Sequence, residues 1–335
     1  MATPDLLGAF ESLVLPMPAA SGNELAAVPI PDAESHRLAK DAAGSPCLLI
    51  RQPSRATPQV PIRLENLIVS FDVSCTVRQP DGTREQDTFT IVRCSNRNPA
   101  LFPHFLKIVS PMIAALGASP SAAAVRRSIF GLVELFQSLS VPGKKTIQGI
   151  WAELLLIRLS RDPVAMASAW HREAQEHFDF AAGPQRIEVK SNSGRRREHH
   201  FSLEQLTPTG GSQILVVSIF VERSGGGVSV QQLLDESRAL LSHDATLLSR
   251  FDGVFYAALG SGWSDAMDES FDWQLATESI AFYVAAAIPK PQNPIAEAVF
   301  DVRFRADLGA TTQLAQEQVT ELGGMFAFAV PATRR

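Results

Sequence analysis

The sequence predicts an α/β (α+β) protein with a mixed central sheet flanked by helices, an antiparallel β region before it and an α/β extension after it. Three observations predict this. Residues 47–94 are rich in Val, Ile, Thr and Phe and carry a turn signal, as antiparallel strands do. Residues 98–139 place apolar side chains at helical spacing. From residue 146 to about 241 the pattern runs helix, several short strands, helix, which is the outline of an α/β unit.

Taken in order, residues 1–45 are rich in Ala, Pro and Ser, with one apolar cluster from Leu6 to Leu15, and read as a short helix and a loosely held arm. CLLIRQ, LENLIVSFDVSCTVRQ and DTFTIVRC read as strands, and Pro-Asp-Gly at 80–82 supplies a turn. Two helices follow, 98–117 and 119–139, each with Pro near its start. Thr146 is placed to cap a further helix, IQGIWAELLLIRLS. Strand candidates are then Trp170–Glu173, Phe178–Phe180, Ile187–Ser191, His199–Leu203 and the strongly apolar Gln213–Glu222, before a helix from Ser229 to about Leu241. The tail mixes strand-like GVFYAALG, helix-like ATESIAFYVAAA and a last apolar segment, MFAFAV. The divisions are 1–45, 46–140, 141–245 for the core and 246–335 for the extension.

With 45% hydrophobic and 19% charged residues, the chain has the composition of a globular protein, not a disordered one. Its net charge of -5 excludes a protein coated in positive charge, but a local basic groove suffices to hold phosphates. One such cluster is Lys190, Arg195, Arg196 and Arg197 with His199 and His200. Cys47, Cys75 and Cys94 form no CxxC pair and read as buried, reduced thiols. No basic region precedes the N-terminal apolar residues and no apolar run spans a bilayer, so no membrane is expected and the expected location is the cytoplasm.

The informative stretch is FDFAAGPQRIEVKSN, residues 178–192. On a strand, Glu188 and Lys190 leave the same face while Ile187, Val189 and Ser191 point the other way. A hairpin centred on Gly183-Pro184 sets Asp179 nearly opposite Glu188. Two carboxylates so placed repel unless a cation lies between them, and hard oxygen ligands favour Mg²⁺ or Mn²⁺. Glu153 is a charged residue inside the apolar helix WAELLLIRL, which would bring it to the sheet's face. Metal held by Asp179 and Glu188, with Glu153 completing its shell directly or through water, and Lys190 to orient a water or offset charge, suit phosphodiester hydrolysis.

Glu on a helix, then Asp, then Glu-x-Lys on the next strand resembles the signature of PD-(D/E)xK nucleases, the restriction-endonuclease-like fold. More narrowly, GIWAELLLIRL, DF, IEVKSN and HHFSLEQL look like a bacterial family of PD-(D/E)xK proteins associated with phage-defence and restriction-like gene clusters. The likeness runs through most of the chain, although its motifs occupy only residues 146–206. It implies a restriction-endonuclease-like core at 141–245 and catalytic positions Glu153, Asp179, Glu188 and Lys190. Gln205 matches a glutamine that supports the site in several nucleases of this fold. The residue before Asp179 is Phe178 where the motif's name has Pro. The implied activity is Mg²⁺- or Mn²⁺-dependent cleavage of DNA in phage defence or restriction. The alternative is a silent subunit of the same fold that binds DNA or partner proteins of a defence complex. Cutting both strands would need two sites, hence a homodimer.

Other signals read differently. Arg195, Arg196 and Arg197 follow Lys190 closely enough to form a phosphate-contacting loop. The adjacent His199 and His200 face opposite ways on a strand, one packed and one solvated, or one of them, His199, touches a phosphate. Pro-Gly-Lys-Lys-Thr at 142–146 lacks the first glycine of a phosphate loop and reads as a helix start whose lysines face solvent or nucleic acid. Gly225-Gly-Gly reads as a turn, Gly260-Ser-Gly-Trp-Ser lacks the spacing of a nucleophile elbow, and Trp151 and Trp170 read as core.

Overall fold

Alternating inward side chains fold the first strands into a closed ring. The computed structural model describes residues 4–16, 24–51, 59–95, 98–143, 145–171, 177–208, 210–292, 299 and 301–332. Gln52 at the end of CLLIRQ, Lys144, and the Arg172 and Glu173 end of the strand candidate at 170 lie outside these residues. The chain forms two units, Met1–Pro142 with Ser242–Ser261, and Gly143–Leu241 with Gly262–Arg335.

In the first unit, α1 (Leu6–Ser12) is capped by Asp5 and precedes β1 (Glu24–Ile30), β2 (Ala33–Lys40), β3 (Pro46–Ile50), β4 (Ile62–Arg63), β5 (Leu67–Arg78) and β6 (Arg84–Cys94). The strand order is β1-β2-β3-β6-β5-β4, and β1 also pairs in parallel with the far half of β5, which closes the ring. Leu25, Ala27, Ala39, Cys47, Leu49, Cys75, Val77, Phe89 and Ile91 pack together inside it, recurring at intervals of two as strands require. Small Ala and Cys side chains suit a narrow interior, and all three cysteines are buried and free. The expected loose arm is corrected here, since 24–40 forms two paired strands. Their Ala-containing sequences, with a Pro in β1, have little strand propensity of their own, and ring closure holds them. The turn at 80–82 is present, with Gly82 at φ +88°.

Helices α2 (Leu101–Leu116) and α3 (Ala122–Ser138) follow as expected. The strand-like GVFYAALG is instead the end of α8 (Ala245–Leu259), which packs against α2 and α3. Read from its cap Asp244, Leu247, Leu248, Phe251, Phe255 and Leu259 make a buried helical stripe that the eight-residue window hides.

The second unit starts with α4 (Ile147–Leu159) and α5 (Pro163–Ala169), then β7 (Phe180–Ala182), β8 (Gln185–Asn192), β9 (Glu198–Ser202) and the short α6 (Leu203–Leu206). It continues with β10 (Gln213–Phe220), β11 (Arg223–Ser229), α7 (Val230–Leu241), α9 (Trp263–Ala266), β12 (Ser270–Phe271), α10 (Trp273–Glu278) and β13 (Ala281–Val284). It ends with β14 (Arg303–Asp307), α11 (Gln316–Glu321) and α12 (Gly324–Ala329). The central sheet has the order β13-β10-β8-β7, with β10 parallel to β8 and the outer pairs antiparallel, so it is mixed. The helix-like IAFYV is the edge strand β13, because Ala281, Phe282 and Tyr283 lie buried against β10. Gly225–Gly227 lies within β11, not in a turn, and a side chain at Gly227 would collide with the backbone of Phe271. No helix among the described residues is long and apolar enough to cross a membrane.

Candidate active site

Thr146 starts α4 by accepting a hydrogen bond from the Gly149 amide at 3.1 Å. The helix is apolar on nearly all sides because β8, α5, α7 and α12 enclose it. One carboxylate interrupts it. Glu153 is 2% exposed, and each of its oxygens is held. Trp170 Nε1 donates to Oε2 at 2.8 Å, His171 Nε2 lies 3.0 Å from the same oxygen, and the Lys145 ammonium is 2.5 Å from Oε1. Burial alone would raise this carboxyl's pKa, but the Lys145 and His171 partners outweigh it and bring it down to about 2.

The β7–β8 hairpin supplies two further carboxylates, Asp179 and Glu188. Phe180 pairs with Ile187, so one step further the register sets Asp179 opposite Glu188, as the spacing predicts. Gly183, in the turn at φ +53°, takes a conformation that glycine adopts freely. Asp179 Oδ2 accepts from the Val189 amide at 2.7 Å, and Oδ1 meets the Lys145 ammonium. Burial, then the charge of Glu153, pushes the Asp179 carboxyl upward. The amide of His171 donates to the Asp179 carbonyl at 2.9 Å, and a bridge joins Trp170 to Phe180. This backbone link is how His171, at the strained φ of +39°, enters the site.

Glu188 and Lys190 share one face of β8, with Lys190 Nζ 2.7 Å from Glu188 Oε1. Gln205 ties both down: its Nε2 donates to Glu188 Oε1 at 2.6 Å and its Oε1 accepts from Lys190 at 3.1 Å. Gln205 is itself placed by the Ser202 amide, 3.1 Å from its Oε1, at the start of α6. Lys190 also stands 5.0 Å over the Phe201 ring. Glu188 Oε2 is buried with no hydrogen-bond partner among the described residues. Burial and the charge of Asp179 raise this carboxyl to about 8.

Glu153, Asp179, Glu188, Lys190 and Gln205 are therefore brought together. Sequence reasoning missed Lys145 and His171. Lys145 does not face solvent as the helix-start reading expected; it bridges two buried carboxylates. The signal available was a lysine one residue before a helix cap, eight positions from a buried Glu, which takes on meaning only once the helix is placed.

The basic cluster divides. Arg195 and Arg196 are exposed, with loose ion pairs to Glu222 at 3.5 Å and Glu198 at 3.6 Å. Arg197 and His199 are turned inward. Arg197 donates to Ser218 O and Oγ at 2.9 Å and to Ser279 O at 2.6 Å, and its guanidinium lies 4.5 Å over Phe220. His199 is 3% exposed with Nε2 2.7 Å from Ser218 Oγ, while His200 is solvated. Burial holds the His199 imidazole down at about 4, so it is neutral near pH 7. Removing Arg197 strands these acceptors. Arg197→Ala is expected to lower stability by about 2–3 kcal/mol in urea unfolding, more than Arg195→Ala or Arg196→Ala, which should change it by under about 0.5 kcal/mol.

Ligand atoms of Glu153, His171 and Asp179 lie within 4.8 Å of one another. With the unpartnered Glu188 oxygen beside Asp179, this donor set is mostly hard oxygen and fits a divalent cation such as Mg²⁺ or Mn²⁺.

The model of a family described as "Putative PD-(D/E)XK family member, (DUF4420)" matches residues 9–309. The chain belongs to this PD-(D/E)XK family. No curated protein and no solved structure matches it. A PD-(D/E)XK protein is expected to gather acidic groups and a lysine on a mixed sheet flanked by helices, and this chain has such a sheet, with its buried acidic and histidine cluster beside it.

Proposed function

We propose that this chain is a divalent-metal-dependent nuclease that hydrolyses phosphodiester bonds of DNA, serving bacterial phage defence or restriction. The observation that carries the reading is the unpartnered, buried Oε2 of Glu188, a carboxyl that feels the charge of Asp179, which in turn feels that of Glu153. A buried carboxylate oxygen left bare is costly, and a cation relieves that cost. Asp179, Glu188 and Glu153 would hold Mg²⁺ or Mn²⁺, with His171 at hand. When bound, the metal supplies positive charge to the scissile phosphate and acidifies a water for attack. Lys190, held by Glu188 and Gln205, orients that water or offsets transition-state charge. Gln205 keeps the lysine and carboxylate in register. The exposed Arg195 and Arg196 meet substrate phosphates.

The test is cleavage of supercoiled plasmid, single-stranded DNA and RNA by the purified chain, alone and with the products of its neighbouring genes. DNA cutting with Mn²⁺ that stops on adding EDTA is the expected result. If none of these substrates is cut with Mn²⁺ under either condition, the proposal fails.

A further inference from the structure

Resting on the metal-binding reading above, we propose that Lys145 is a resident cation of the site, its ammonium filling the seat between Glu153 and Asp179 until a divalent cation displaces it. The two carboxylates are enclosed, with side-chain exposures of 3% and 8%, and each has one oxygen committed elsewhere. Trp170 and His171 occupy Glu153 Oε2, and the Val189 amide occupies Asp179 Oδ2. The remaining oxygens, Glu153 Oε1 and Asp179 Oδ1, both meet the Lys145 ammonium. A metal bonded to these two oxygens cannot share them with an ammonium, because like charges a few ångströms apart repel in a buried site.

The charge balance agrees. Two carboxylates with one ammonium leave one negative charge, whereas two carboxylates with a divalent cation are neutral. Lys145 also has a way out: its side chain is 26% exposed, and it leaves the backbone before the Thr146 cap, so the ammonium can withdraw without breaking α4. Lys190 differs in kind. It rests on Glu188 Oε1 and Gln205, not on the oxygens between Glu153 and Asp179.

The consequence is competition, read without nucleic acid or turnover. Mn²⁺ affinity is measured by calorimetry for the wild type, Lys145→Met and Lys190→Met. Lys145→Met is expected to bind Mn²⁺ about tenfold tighter or more, and Lys190→Met to gain less than about threefold. In parallel, wild-type protein is acylated with and without Mn²⁺, and labelling of Lys145 is read by mass spectrometry. Labelling should rise when Mn²⁺ is added, a readout that stands if Lys145→Met fails to fold. Unchanged or weaker Mn²⁺ affinity in Lys145→Met, or wild-type labelling that Mn²⁺ leaves unchanged or lowers, overturns the displacement while leaving the metal site intact. Absence of Mn²⁺ binding in both wild type and Lys145→Met overturns the metal site as well.

Discussion

Lys190→Ala is expected to reduce Mn²⁺-dependent DNA cleavage by about 10²–10³-fold while the protein stays folded. The ammonium is held over the site by two acceptors, the Glu188 carboxylate at 2.7 Å and the Gln205 amide oxygen at 3.1 Å, so its position is prepared before substrate arrives. On the proposed function, alanine removes the charge that would face the reacting phosphate. It also removes the cation–π contact of the ammonium with the Phe201 ring, at a structural cost of about 1 kcal/mol. β8 itself is secured along its length by β10, from Gln185 opposite Gln213 to Asn192 opposite Phe220, so the strand survives the change. Single-turnover cleavage rates and urea unfolding separate the two effects. Full activity in a folded Lys190→Ala protein would remove this lysine from the chemistry.

Glu188→Gln is expected to act in opposite directions on stability and activity. The Glu188 carboxyl is held at about 8 in the fold against 4.5 for the free group. Between these values the folded protein keeps a proton that the unfolded chain has released, so metal-free stability falls as pH rises from 4.5 to 8. The full shift corresponds to roughly 5 kcal/mol. Asp179 is displaced upward as well and adds to the same fall. Glu153 works the other way: with its pKa depressed to about 2, its contribution is present above 4.5 and is lost as pH drops toward that lower value. Glutamine at 188 carries no charge to desolvate and sets an N–H donor in place of the bare, buried Oε2. The metal-free variant should therefore be more stable than wild type at pH 8 by a few kcal/mol, and about equal to it near pH 4.5. It should also lose Mn²⁺-dependent cleavage. Urea unfolding in EDTA across this pH range measures the first effect, and a less stable variant at pH 8 would show that Glu188 is not a strained carboxylate.

Legibility in the sequence followed how local each interaction is. The Asp179–Glu188 pairing depends on one short hairpin, so spacing and Gly183-Pro184 are enough to foresee it. Glu153 stood out because a charge inside an apolar helix needs partners. Gln205 came from the family likeness alone, and its hydrogen bonds to Glu188 and Lys190 show what it holds. Lys145 and His171 were not legible. Their partners are set by the packing of α4 against the hairpin, and neither residue belongs to the motif. The same limit explains the elements that differ. Ala-containing β1 and β2 are strands because a ring closes around them, and IAFYV is a strand because β10 offers an open edge.

The measurement that bears most directly on the site is anomalous scattering from a crystal grown with Mn²⁺. The expected map has a manganese peak among the carboxylates of Glu153, Asp179 and Glu188. A map with no peak there, from protein that binds Mn²⁺ in solution, contradicts the assignment of this cluster as the metal centre.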